Sequence, residues 1–131
     1  MALNILIVDD SAVMRQMILK TVTLSGVPLG EVHQAANGQE GLGVLDSHWI
    51  DLALVDYLLP DHDGLVVSSQ LRKTHPALQI IIMTGEKLSP GEEERCLRDG
   101  RVMIQKPFLM EDLMELVRAR LPKPAAAAGQ S

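Results

Sequence analysis

A single cysteine, Cys96, leaves no partner within the chain for a disulfide, so a reducing, cytoplasmic setting is expected. Aromatic residues are almost missing. Trp49, Tyr57 and Phe108 are all there are, too few for a base-stacking surface. Positive charge is also short: 12 Lys and Arg against 17 Asp and Glu give a net charge of −5, the opposite of the basic footprint that nucleic-acid binding needs. No apolar run approaches the roughly 18 residues of a membrane span, and no basic segment precedes the first apolar stretch. Neither membrane insertion nor a signal peptide is therefore expected. What is left is a chain of 131 residues, 47% hydrophobic, long enough for one domain with its own core.

Short apolar runs alternate with longer amphipathic ones. Ile5-Leu6-Ile7-Val8 runs unbroken to Asp9-Asp10 and reads as a strand buried on both faces, as in a parallel sheet. Met14, Met17, Ile18, Thr21 and Leu24 follow at helical spacing, and Ser25-Gly26 ends that helix. A short second strand is predicted over 31–36. Asn37-Gly38-Gln39-Glu40 is a capping box that opens a helix to about His48. Residues 52–55 make a third strand running into Asp56. Pro60-Asp61-His62-Asp63-Gly64 is loop chemistry, with Asp63 placed to cap a helix to about Thr74. A fourth strand, 80–83, ends at Thr84-Gly85. Ser89-Pro90-Gly91-Glu92 starts a fourth helix whose apolar face, Cys96 and Leu97, is thin. A weak fifth strand over 102–105 precedes Lys106-Pro107, and Leu109, Leu113, Leu116, Val117 and Leu121 form a last helical stripe. The folded unit is expected over 1–121, with the Pro- and Ala-rich 122–131 as a tail or linker. Five strand–helix units imply an α/β fold: a doubly wound parallel sheet with helices on both faces.

In such sheets function gathers in the crevice outside the carboxyl ends of the strands. Asp9-Asp10, Asp56, Thr84 and Lys106 all fall at strand ends. Taken singly, a strand-end Asp is usually a cap or turn residue; the conjunction of four strand ends is what points to a site. Three carboxylates at strand spacing repel one another and would raise at least one pKa. A hard divalent cation such as Mg²⁺ relieves that conflict. Lys106 adds an ammonium and Thr84 a hydroxyl donor. Metal, ammonium and hydroxyl around a carboxylate make an arrangement for phosphoryl transfer. Asp56 ends the central strand and is the natural nucleophile, since carboxylates form aspartyl-phosphates. His33, His48, His62 and His75 lack zinc spacing and are expected to be solvated.

Val8-Asp9-Asp10-Ser11, the stretch from Asp56 through Tyr57, Leu58, Leu59 and Pro60 to Gly64, Thr84-Gly85 and Lys106-Pro107-Phe108 together resemble the receiver domain of two-component response regulators. The likeness runs over about residues 3–121, and Asp10-Ser11-Ala12-Val13-Met14-Arg15 is most like the single-domain chemotaxis regulator of that family. The resemblance implies a flavodoxin-like (βα)5 sheet of strand order 2-1-3-4-5. It implies that Asp56 accepts a phosphoryl group from a phosphohistidine on a sensor histidine kinase. Asp10 would hold Mg²⁺ directly and Asp9 through water, with the Leu58 carbonyl as a further ligand. Thr84 would hydrogen-bond one phosphoryl oxygen, Lys106 would pair with another, and the Lys106–Pro107 bond would be cis. Such a protein catalyses only its own phosphorylation and dephosphorylation. Phosphorylation would alter the surface made by the fourth helix, fifth strand and fifth helix, which a downstream protein or effector domain reads.

The chain departs from the family at the switch. Three residues before Lys106, where receivers carry Tyr or Phe, stands Met103, and the usual Gly-Ala start of that segment is Gly100-Arg101. Met103 reads either as ordinary strand packing or, with Thr84, as a modified switch. Leu58 and Glu86 flank the expected path of a hydrolytic water. These departures leave room for an alternative, a phosphate-independent receiver that acts as a constitutive interaction module.

Overall fold

Strands and helices alternate along the chain in the order β1 (Leu3–Val8), α1 (Ala12–Leu24), β2 (Leu29–Ala35), α2 (Gly38–Ser47), β3 (Leu52–Asp56), α3 (Gly64–Thr74), β4 (Gln79–Thr84), α4 (Pro90–Arg98), β5 (Val102–Gln105) and α5 (Met110–Ala119). This computed structural model describes residues 2–61, 63–85, 89–98 and 102–120. Glu86, Gly100-Arg101, His62, Leu121, the tail 122–131 and the side chains of Cys96 and Leu97 lie outside the described residues. The strands are parallel and ordered β2-β1-β3-β4-β5, as the resemblance implies.

The unbroken apolar runs are strands because each face of the sheet is covered. Leu6 and Val8, Ala53 and Val55, and Ile80 and Ile82 point to one side, where Leu45 of α2 and Leu65 and Leu71 of α3 close over them. Ile5 and Ile7, Leu52 and Leu54, and Ile81 and Met83 point to the other, under Ile18 and Val22 of α1 and Leu113 and Val117 of α5. Each fully buried Leu or Ile contributes about 1.5–3 kcal/mol, so the three inner strands dominate the stabilisation. Among the described residues, no helix is long and apolar enough to cross a membrane.

The predicted caps are made. Asn37 Oδ1 accepts the Glu40 N–H at 2.9 Å, while the Glu40 carboxylate reaches back to the Ala36 N–H at 3.1 Å. Ser89 and Glu92 exchange bonds at 3.0 and 3.3 Å across the start of α4. Asp63 Oδ1 accepts the Leu65 N–H at 2.6 Å.

Three expectations need correction. β2 begins at Leu29, earlier than 31, because Leu29 pairs with Leu3 on β1; an edge strand carrying Gly30, Glu31 and Gln34 shows too little apolar pattern to mark its start. Leu24 is 56% exposed and Leu109 is 69% exposed. Val22 holds the inward face of α1 in place of Leu24, and Leu109 is the extended residue ahead of α5, outside the helical stripe. His33 and His48 are not separate solvated residues: their rings lie against each other, with centroids 4.0 Å apart.

Candidate functional site

The chain leaves β1 for β2 on one side of the sheet and returns to β3 on the other, so the carboxyl ends of β1 and β3 border the crevice where the winding reverses. Asp9 follows β1 and is buried. Its N–H donates to the Ala35 carbonyl at 3.0 Å, its Oδ1 accepts the Ser11 N–H at 2.9 Å, and its carbonyl accepts Arg15 Nη1 at 2.6 Å. These three bonds leave Oδ2 aimed at the crevice, where it meets Lys106 Nζ at 3.1 Å. Asp10, one residue on, is exposed.

Asp56 is the last residue of β3 and is buried. Its Oδ2 lies 3.4 Å from Lys106 Nζ, and its Oδ1 accepts the Leu58 N–H at 3.4 Å. The chain after Asp56 is held in a tight return: Gly64 N–H donates to the Tyr57 carbonyl at 2.6 Å, and Leu58 and Asp63 form an antiparallel bridge. That return requires glycine at 64, since a Cβ there would stand 2.2 Å from the Asp56 carbonyl oxygen and 2.7 Å from Tyr57 Cα. Lys106 is delivered from the far side. Its N–H donates to the Thr84 carbonyl at 2.7 Å, and the Lys106–Pro107 bond that follows is cis.

Asp9, Asp10 and Asp56 each bring a carboxylate oxygen within 4.8 Å of the others. Burial pushes the Asp56 carboxyl above its ordinary pKa; Lys106 opposes that rise and the neighbouring Asp9 adds to it. At an effective dielectric of about 20, each Lys106 contact attracts by roughly 5 kcal/mol before desolvation, so Lys106 offsets part of the cost of burying the Asp56 charge. One ammonium cannot balance three carboxylates. The remaining negative charge and the all-oxygen donor set fit a hard divalent cation.

Asp9, Asp10, Asp56 and Lys106 thus converge as the sequence suggests. Thr84 is buried at the end of the adjoining strand, where Asp56 pairs with Met83 and Thr84 with Gln105. The Leu58 side chain stands 57% exposed beside the site. Met103 lies away from the carboxylates: it pairs with Ile82 and packs with Tyr57 against the core on the α2–α3 side.

Three residues of the Asp56–Gly64 stretch carry roles that the sequence did not indicate. Gly64 is one. Asp61, read from the sequence only as loop chemistry, accepts the Gly38 and Gln39 N–H groups at 2.9 and 3.0 Å and so pins the start of α2 to the loop after Asp56. The Tyr57 hydroxyl donates a hydrogen bond to the Glu92 carboxylate in the first turn of α4. That bond, with help from Ser89, holds the Glu92 carboxyl below the usual range. A Tyr directly after a strand-end Asp was the available signal, but its partner lies on another element.

Known proteins are similar to this chain in sequence and fold. The family model described as the response regulator receiver domain matches residues 5–118. The chain is 33% identical over 134 residues to response regulator MprA of Mycolicibacterium vanbaalenii, covering 100% of this chain and 56% of that protein. It is 34% identical over 131 residues to MprA of Mycobacterium tuberculosis, covering 98% and 55%. The chain therefore spans about half the length of the curated relatives it matches. Among solved structures, a CheY-like receiver domain protein of Methanospirillum hungatei superposes with a TM-score of 0.81 at 30% identity, over 92% of this chain and 94% of that one. The chemotaxis response regulator CheY4 of Vibrio cholerae gives a TM-score of 0.79 at 27% identity, over 92% and 100%.

Proposed function

This chain belongs to the receiver-domain family of response regulators, and from that premise we propose that it is a phosphoryl-accepting switch with Asp56 as the acceptor. One observation carries the proposal: a buried strand-end carboxylate lies 3.4 Å from Lys106 with two further carboxylates close enough to share a cation. An Asp56 oxygen attacks phosphorus, the bond from phosphorus to the donor breaks, and a histidine imidazole leaves when the donor is a sensor kinase. Lys106 moves from pairing two carboxylates to pairing a phosphoryl oxygen, and Thr84 donates its hydroxyl to another. Asp10 and Asp56, the Leu58 carbonyl, and Asp9 through water would hold Mg²⁺. When bound, that ion supplies charge neutralisation for the incoming phosphoryl oxygens. The Leu58 side chain shields Asp56 from an in-line water.

The receiver unit is assigned to 1–121, with 122–131 as a tail or a linker to an effector domain. The partners are a cytoplasmic sensor histidine kinase and a protein that reads the surface of α4, β5 and α5. An acidic domain of this kind does not itself contact nucleic acid or enter a membrane. The test is phosphorylation by a small acyl phosphate with Mg²⁺, read by intact mass. Wild type should gain one phosphoryl group, lost on chelation of the metal and absent in Asp56→Asn; an equal gain in Asp56→Asn would refute the assignment. A second reading, a phosphate-independent interaction module, is favoured by Met103 packing into the core where the family carries a mobile ring. It predicts no mass gain and unchanged partner binding in Asp56→Asn.

A further inference from the structure

Glu31 and His33 stand two residues apart on β2, so their side chains leave the same face of the sheet. That face is the one α2 covers, because His33 pairs with Leu6 and Leu6 belongs to the core beneath α2. α2 ends at Ser47. Its cap, His48, turns to extended backbone at φ −137° and ψ 144° while its N–H still donates to the Val44 carbonyl. The turn delivers the His48 ring over the edge strand. The two imidazoles face each other at 4.0 Å with an interplanar angle of 36°.

Both rings direct a nitrogen at one carboxylate oxygen. His33 Nε2 lies 2.8 Å and His48 Nδ1 3.4 Å from Glu31 Oε1. The backbone of Glu31 is held in turn, its N–H donating to Asn4 Oδ1 at 2.8 Å. Around a tetrahedral ion with bonds of about 2.0–2.1 Å, neighbouring ligand atoms stand about 3.3 Å apart. The two measured separations bracket that value, and all three candidate donors lie within 4.8 Å of one another. Two imidazole nitrogens and one carboxylate are a donor set for zinc and its neighbours in the first transition row, and a poor one for magnesium.

We infer that Glu31, His33 and His48 form a second cation site, for a divalent ion of the Zn²⁺ type, that ties edge strand β2 to the end of α2. The site is separate from the acidic crevice. It lies near the start of β2, next to the pairing of Leu3 with Leu29, whereas Asp56 closes the opposite end of β3. The side chains of His33, His48 and Glu31 are 24%, 40% and 64% exposed, so the ion has access and a fourth position stays open to water. The two sites have opposite preferences: oxygen donors for Mg²⁺ in the crevice, nitrogen donors for Zn²⁺ at the edge.

The experiment titrates the full chain with Zn²⁺ against a chromophoric chelator in millimolar Mg²⁺, which keeps the acidic crevice supplied with its own ion. Wild type should bind one equivalent and melt higher with zinc than without. His33→Gln and His48→Gln should each weaken binding by at least about tenfold and lose the zinc-dependent rise in Tm; Asp10→Asn should keep both. Co²⁺ should give the visible absorption of a tetrahedral site in wild type and lose it in His48→Gln. Matching circular dichroism of the variants separates lost ligation from lost folding, and His48, at an exposed helix end, is the position least able to disturb the core. No zinc binding at micromolar concentration, or binding as tight as wild type in both histidine variants, would overturn the inference.

Discussion

Gly64→Ala should destabilise this domain, although alanine is normally the better helix residue. Gly64 opens α3, and glycine in a helix costs about 0.5–1 kcal/mol relative to alanine. Against that gain stands a collision. The new Cβ would lie 2.2 Å from the Asp56 carbonyl oxygen, 2.7 Å from Tyr57 Cα and 2.9 Å from the Asp56 carbonyl carbon. These are backbone atoms at the end of a strand whose five residues are all buried, so no side-chain rotation relieves the contact. The helix start or the strand end must move by about 1 Å, and overpacking of this kind costs about 1–3 kcal/mol. With the upper end of that range and the helix gain subtracted, the net loss is about 2 kcal/mol, or a fall in Tm of roughly 6–10 °C for a domain of this size. Gly43→Ala is the matched control. It changes the same atoms in α2, where a Cβ would meet nothing within 4 Å, and should raise stability by about 0.5–1 kcal/mol. Urea unfolding of both variants in chelator, followed by circular dichroism, measures the pair. Because the displaced atoms belong to Asp56, the proposed phosphoryl acceptor, Gly64→Ala should also slow acyl-phosphate labelling, whereas Gly43→Ala should not. If Gly64→Ala is as stable as wild type or more so, the return of the chain onto Asp56 is wrong as described.

In the metal-free protein, Asp56→Asn should be more stable than wild type at neutral pH. The folded-state pKa of Asp56 is raised by burial, so its contribution is full below the unfolded value of about 3.9 and is lost as pH rises through the folded one; the two melting curves should converge toward about pH 4, and a less stable variant at pH 7 would contradict this. Tyr57→Phe removes the hydroxyl that holds Glu92 and should speed amide exchange in α4 while labelling of Asp56 persists; unchanged exchange there would show that the bond does not anchor the helix. Leu58→Asn should shorten the lifetime of the aspartyl-phosphate by admitting water, and a lifetime equal to wild type or longer would refute the shielding role.

The sheet was legible where burial is two-sided. Ile5 to Val8, Leu52 to Val55 and Ile80 to Ile82 are apolar on both faces because helices cover both, and a run with no polar interruption has few other homes. The helix caps at Asn37, Asp63 and Ser89 were legible because capping is local. Strand order was not readable from periodicity, since pairing is non-local; it came from the family resemblance. The carboxylates were legible because each ends an apolar run, and a strand end in this fold has a known position. What stayed hidden joins distant segments. Asp61 bonding the start of α2, Tyr57 bonding Glu92, and the meeting of His33 with His48 each depend on how two elements pack, and no spacing encodes that. Gly64 was hidden differently: in sequence it is one more loop glycine, and only the strand backbone beside it shows why no side chain fits.

The link from Asp56, the proposed acceptor, to α4 is built here from different parts than the family resemblance implies. Tyr57, one residue past Asp56, packs with Met103 against the same core and bonds Glu92 of α4. Any shift of the Asp56 backbone therefore reaches α4 through Tyr57, with no ring needed at 103. Glu93, Glu94 and Arg95, next along α4, are exposed, so the part-buried Tyr57–Glu92 bond lies at the edge of solvent, and a single hydrogen bond of net worth about 0.5–1.5 kcal/mol separates two states only weakly. Met103 adds little discrimination, since an unbranched thioether side chain fills either arrangement. A switch moves only by the difference in free energy between its states. The groups able to supply that difference are those at the strand ends: Lys106, which in the proposed mechanism exchanges carboxylate partners for a phosphoryl oxygen, and the buried Thr84. The receiver is thus expected to commit at the crevice and to hold α4 lightly, with the active arrangement of α4 already populated before phosphorylation.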